Sequence, residues 1–160
     1  MIMSDQHKIF MRQAIELSRR KMNENCGGPF GAIIVRQGKV IGEGWNKVTS
    51  TNDPTAHAEV TAIRSACQAA RDFSLKGCEI YTSCEPCPMC LAAIYWARID
   101  HIFYANTRKD AADIGFDDDF LYKEITLPES ARTKPIHRLL PDEAKSVFDE
   151  WAQKADKVAY

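Results

Sequence analysis

The sequence predicts an α/β fold, layered on a mixed sheet. Segments with helical spacing alternate with short apolar runs of strand type, in the order helix, hairpin, helix, strand, helix, strand, helix. The length of 160 residues suffices for one domain with a sizeable core. A composition of 45% hydrophobic and 27% charged residues is that of an ordinary globular chain.

Each element has a local reason. In residues 5–24, Phe10, Ala14, Leu17 and Lys21 follow helical spacing; Ser4 or Asp5 supplies a cap, and Gly27-Gly28-Pro29 ends the run. Residues 30–36 and 39–46 flank Gln37-Gly38 as a hairpin. Residues 48–55 read as a polar loop. The Ala-rich stretch 56–71 reads as a helix with His57 and Glu59 in its first turn. Residues 78–83 form a short strand of the buried type, and 88–98 a second short helix with Cys87 and Cys90 at its N-terminus. Residues 101–105 are a further strand. Residues 111–123 are a loop with a helical turn around Gly115-Phe116-Asp117-Asp118-Asp119, and 141–155 a final helix. No repeat, low-complexity tract or linker interrupts the chain.

Charge and cysteine usage narrow the function classes. A net charge of −1 without a run of Lys or Arg leaves no electrostatic footprint for nucleic acid or membrane. The apolar stretches fall short of a membrane span. Met-Ile-Met-Ser-Asp-Gln-His at the start lacks an apolar core and cleavage site, so no secretory signal is expected. Six cysteines then read as metal ligands and buried thiols, and the expected compartment is the cytoplasm.

The chemistry concentrates in His57-Ala58-Glu59 and Pro86-Cys87-Pro88-Met89-Cys90. One imidazole and two thiolates favour Zn²⁺, and three protein ligands leave a fourth position for water. Glu59 is then a carboxylate placed to handle protons without ligating the metal. Cys87 and Cys90, three apart at a helix start, put both sulfurs on one side, where the helix N-terminus favours thiolates. This is the pattern of zinc nucleobase deaminases. The competing reading is a closed four-ligand zinc site, with Cys84, Cys78 or His101 as fourth ligand. A redox role for the cysteine pair is weaker, and a His-Glu-x-x-His protease is excluded because position 61 is Thr.

On these motifs, with Pro29-Phe30-Gly31-Ala32 and Asn46, the chain resembles the cytidine deaminase-like superfamily over nearly its whole length. Tyr95-Trp96-Ala97-Arg98, Gly115-Phe116-Asp117-Asp118 and a C-terminus ending on Tyr160 are similar to the bacterial guanine deaminase branch. The resemblance implies a three-layer α/β/α sandwich with a mixed five-stranded sheet. It also implies a single deaminase domain over 1–160 and a homodimer in which a C-terminal segment, about 141–160, closes an active site, with possible exchange of these segments between protomers. One Zn²⁺ per chain would sit on His57, Cys87 and Cys90, with Glu59 catalytic. Asn46 would hydrogen-bond a purine, Phe30 and Trp96 would flank it, and the backbone at Ala58 would help position it. Asp118, or its neighbour Asp117, would accept a ring N–H, and Tyr160 would cover the pocket. The implied reaction is hydrolysis of guanine to xanthine and ammonia, a step of purine metabolism. The rivals are a tRNA adenosine deaminase, a deaminase of cytosine or another small base, and a non-enzymatic zinc-binding module.

Overall fold

The structure is a computed structural model that describes residues 5–159. Contacts divide the chain into two units, Met1–Phe120 and Leu121–Tyr160. The first contains α1 (Asp5–Asn23), β1 (Gly31–Arg36), β2 (Lys39–Trp45), α2 (Val48–Thr51), α3 (Ala58–Ala70), β3 (Cys78–Cys84), α4 (Pro88–Trp96), β4 (His101–Asn106) and α5 (Arg108–Asp113). The helix α6 (Asp119–Thr126) crosses the boundary, and α7 (Pro141–Gln153) belongs to the second unit.

The strands form one mixed sheet in the order β2-β1-β3-β4. β1 runs antiparallel to β2 and β3, and β3 runs parallel to β4. The parallel pair needs a crossover, and α4 supplies it. The side chains of β1 divide between two layers. Ala32 and Ile34, with Ile80 of β3, pack against Ala58, Ala62 and Ala66 of α3 and Ile94 of α4. Ile33 and Val35, with Tyr81, pack against Phe10, Ala14 and Leu17 of α1. Both faces are covered, so β1 reads as a continuous apolar run from Ala32 to Val35 without alternation. The first unit is thus the expected α/β/α sandwich.

The sheet has four strands among the described residues, not the five that the resemblance implied. After β4 the chain turns at once into α5, where Thr107 and Asp110 form a reciprocal capping box. The segments that follow are helical or irregular, so no further strand pairs with β4.

Small residues set how closely α3 approaches the sheet. A Cβ on Gly44 would lie 2.2 Å from the Ala58 carbonyl oxygen, and one on Gly42 would lie 2.7 Å from the Ala66 methyl. Gly42 and Gly44 therefore let α3 rest directly on β2, which fixes the position of its first turn.

Several boundaries differ from the sequence reading. The polar loop 48–55 contains the one-turn α2. The helix α3 starts at Ala58 and α4 at Pro88, so His57 and Cys87 occupy the N-cap positions and not the first turn. Proline suits the first helical position because its missing N–H would have no intrahelical partner there. The expected helix 88–98 stops at Trp96, and Arg98 takes a positive φ of 58°. Ser4, one of the expected caps of α1, lies outside the described residues.

In the second unit, Glu124 accepts hydrogen bonds from the backbone N–H and hydroxyl of Thr133, both at 3.0 Å. Arg132 donates to the Leu127 carbonyl at 3.1 Å. Pro141 opens α7, and Lys145 pairs with Asp149 at 2.7 Å on its polar side. Val147, Phe148 and Trp151 share an apolar stripe at helical spacing, yet no residue of α7 is buried; Phe148 is 76% exposed. No described helix is long and apolar enough to cross a membrane.

Candidate active site

Two helix starts converge at one end of the sheet. His57 and Cys87 have extended N-cap backbones (φ −70°, ψ 160° and φ −65°, ψ 168°), and neither side chain caps its own helix. N-caps are usually Ser, Thr, Asp or Asn, whose oxygens turn back to the backbone. Here imidazole and thiol are directed elsewhere. The His57 Nδ1 lies 3.5 Å from the sulfur of Cys87 and 3.5 Å from that of Cys90. These three are the one group of potential metal-ligating side chains, among the described residues, whose ligand atoms all lie within 4.8 Å of one another.

The spacing fits zinc. Bond lengths of about 2.3 Å to sulfur and 2.0–2.1 Å to nitrogen, at a tetrahedral angle, separate S and N by about 3.6 Å. Cys87 is pulled down to about 4, first by the hydrogen bond from the Cys90 thiol and further by His57. Cys90, the donor in that pair and itself buried, is pushed up. The hydrogen bond with Cys87 raises His57. A cation entering the triangle takes the place of these shared protons, so binding is accompanied by proton release.

The proposed fourth ligands of a closed site lie elsewhere. Cys84 is pushed up to about 11, mainly by burial, and its thiol faces the Thr107 carbonyl at 3.7 Å. Cys78 sits in the core between sheet and α3 and accepts from Arg36 at 3.2 Å. His101 is an exposed residue at the start of β4.

Glu59 follows Ala58 in the first turn of α3 and is 6% exposed. Burial raises its carboxyl above the usual range, while its own backbone N–H and the Cys90 thiol act in the opposite sense. Thr82 of β3 donates to its Oε1 at 3.2 Å.

The remaining sequence candidates separate into groups. Asn46 is 8% exposed, and its Oδ1 accepts from the N–H groups of Gly28 (3.3 Å) and Val48 (3.2 Å). Those bonds fix the amide's orientation and turn its NH₂ the other way. Phe30, whose carbonyl accepts from the Asn46 N–H, packs against the same core cluster as Ala58 and meets Phe116 edge-on at 4.9 Å. Asp117 and Asp118 differ. Asp117 is exposed and accepts from the Asp119 N–H at 2.9 Å, at the start of α6. Asp118 is half-buried, and its carboxyl is raised by burial first and by Cys87 second. It also acts electrostatically on His57 and Cys84. Trp96 ends α4, roughly 9 Å along the axis from Cys90 at 1.5 Å per residue, and is 68% exposed. Tyr160 lies outside the described residues.

The sequence reading missed Thr82 and Ser83. Ser83 accepts from the Gly31 N–H at 3.0 Å and ties β3 to the segment that carries Phe30. Their signal was two adjacent hydroxyls at buried positions near the C-terminal end of β3.

Comparison with known proteins agrees with this geometry. The family described as the cytidine and deoxycytidylate deaminase zinc-binding region matches residues 4–106. The guanine deaminase of Bacillus subtilis (strain 168) is 52% identical over 154 residues, 96% of this chain and 99% of that protein. An X-ray structure of guanine deaminase from Bacillus subtilis superposes with a TM-score of 0.94 at 52% identity, covering 96% of this chain and 98% of that one. The tRNA-specific adenosine deaminase of Aquifex aeolicus (strain VF5) is 40% identical over only 100 residues, 62% of this chain and 66% of that protein. The chain belongs to the zinc-binding cytidine and deoxycytidylate deaminase family, and within it to the guanine deaminases.

Proposed function

We propose that this protein is a zinc-dependent hydrolase that converts guanine to xanthine and ammonia, with His57, Cys87 and Cys90 holding the metal. The observation that carries the reading is the three-atom triangle around His57 Nδ1, at zinc spacing, with the carboxylate of Glu59 buried beside it and outside the ligand set. Zinc supplies Lewis acidity that brings the pKa of water toward about 7 in favourable sites. Glu59 takes the proton of the water that attacks C2. It gives that proton to the ring nitrogen, then takes the proton of the hydroxyl newly added at C2 and passes it to the amine, which leaves as ammonia while the C2 carbonyl forms.

Asn46, with its oxygen held by two backbone donors, presents its NH₂ to an acceptor on the purine. Phe30 offers an aromatic wall, backed by Phe116, and the backbone at Ala58 helps position the base. Asp118 accepts an imidazole-ring N–H of guanine, and Trp96 and Tyr160 complete the enclosure. The protein works as a homodimer whose C-terminal segments, about 141–160, close the active sites, either of their own protomer or, by exchange, of the partner. The exposed apolar stripe of α7 supports this, because large apolar patches mark interaction sites. The tail then joins a single deaminase domain. The substrate is a free base and not nucleic acid, in keeping with the net charge of −1. The compartment is the cytoplasm.

The test is ammonia release from guanine, adenine, cytosine and their nucleosides by the purified, zinc-loaded protein. Guanine is expected to be turned over far faster than the rest. A buried site that binds one substrate N–H can discriminate by roughly 10⁴ to 10⁵, so guanosine, which carries ribose on the imidazole ring, is expected to be a poor substrate. Equal kcat/KM for guanine and guanosine, or a preference for adenosine in tRNA, contradicts the reading.

A further inference from the structure

Thr82 is 1% exposed and lies on the face of β3 that packs against α3. Its companions on that face are Ala32, Ile34 and Ile80, and Ala58, Ala62 and Ala66 face them from α3. Packing alone would be served by valine, which has nearly the same shape and suits a buried strand. The hydroxyl instead reaches across the layer to Glu59 Oε1 at 3.2 Å. β3 therefore makes a direct polar contact with the carboxylate, and that strand leads straight into the turn that carries Cys87.

We propose that Thr82 is a positioning residue for the Glu59 carboxylate. Its hydroxyl holds Oε1 against the sheet, which fixes the rotation of the carboxyl group and leaves Oε2 as the oxygen that moves protons. A proton carrier must reach several substrate atoms within hydrogen-bond distance, so its orientation bears on rate more than on binding. The proposal rests on Glu59 being the proton carrier.

The experiment compares Thr82→Val, Thr82→Ser, Glu59→Gln and the double variant Thr82→Val/Glu59→Gln as full-length, zinc-loaded proteins. Each is assayed for kcat and KM with guanine, zinc content and melting temperature. Loss of a supporting hydrogen bond at a metal site typically costs about 10- to 100-fold in activity. Thr82→Val is expected to lower kcat by that factor, with KM, zinc content and melting temperature unchanged. Thr82→Ser, which keeps the hydroxyl, is expected to recover most of the rate. The double variant is expected to be no slower than Glu59→Gln, because the two residues act through one group. Wild-type kcat in Thr82→Val beside an inactive Glu59→Gln overturns the proposal. So does a rate loss that tracks melting temperature and is not restored by serine, since that describes packing. An active Glu59→Gln removes the proton-carrier assignment itself, and the proposal with it.

Discussion

The helix starts that carry His57, Glu59, Cys87 and Cys90 belong to elements pressed against the sheet, α3 through Gly42 and Gly44 and α4 through Ile94. The segment that carries Phe116 and Asp118 is held differently. It is largely exposed, and an edge-on contact between Phe116 and Phe30 ties it to the core side. The first region holds the ligand atoms and the buried carboxylate in the geometry of a reaction. In the function proposed above, the second supplies the groups that select what reacts. A rigid scaffold for chemistry with recognition placed on connecting segments is the usual division of labour in enzymes.

Substitutions in both regions and a C-terminal deletion break or sharpen this contrast. The largest effect is expected at the metal ligands. Cys87→Ala or Cys90→Ala removes one of three protein ligands, and elemental analysis and guanine turnover are expected to show loss of both zinc and activity. A full zinc complement in either variant would reject the ligand set. Glu59→Gln comes next. General acid–base groups contribute about 10² to 10⁴ in rate, and this one serves several steps, so kcat is expected to fall at least roughly 10³-fold with zinc retained.

The recognition segment responds less steeply. Asp118→Ala is expected to lower kcat/KM for guanine by about 10- to 100-fold, the worth of a hydrogen bond to a charged group. Asp117→Ala removes a partner at the start of α6 and is expected to cost about 1 kcal/mol or less of stability, with kcat/KM intact. If the two variants exchange these phenotypes, Asp117 is the residue that reads the base. Deleting Lys157–Tyr160 is expected to lower kcat/KM without moving the melting temperature. An undiminished rate in the truncated protein removes the tail from the site.

The parts of this organisation that the sequence disclosed follow from their chemistry. His57, Glu59, Cys87 and Cys90 are legible because zinc chemistry demands these residue types at short, fixed spacings. The layers are legible because helical and strand patterns alternate. The strand count was not, since it came by resemblance and the turn into α5 depends on a cap with no hydrophobic signature. The N-cap placement of His57 and Cys87 was hidden because neither residue is an ordinary cap. Thr82 was hidden for a different reason. Nearly every position of β3 is buried, so no alternation separates a hydroxyl turned toward the site from one that merely fills space.

The central claim is an open zinc site with two sulfurs and one imidazole. X-ray absorption at the zinc edge of the purified protein tests it most directly. The expected first shell is two sulfurs at about 2.3 Å and two nitrogen or oxygen neighbours at about 2.0–2.1 Å. A shell of three or more sulfurs, as a closed site recruiting Cys84 or Cys78 would give, contradicts it.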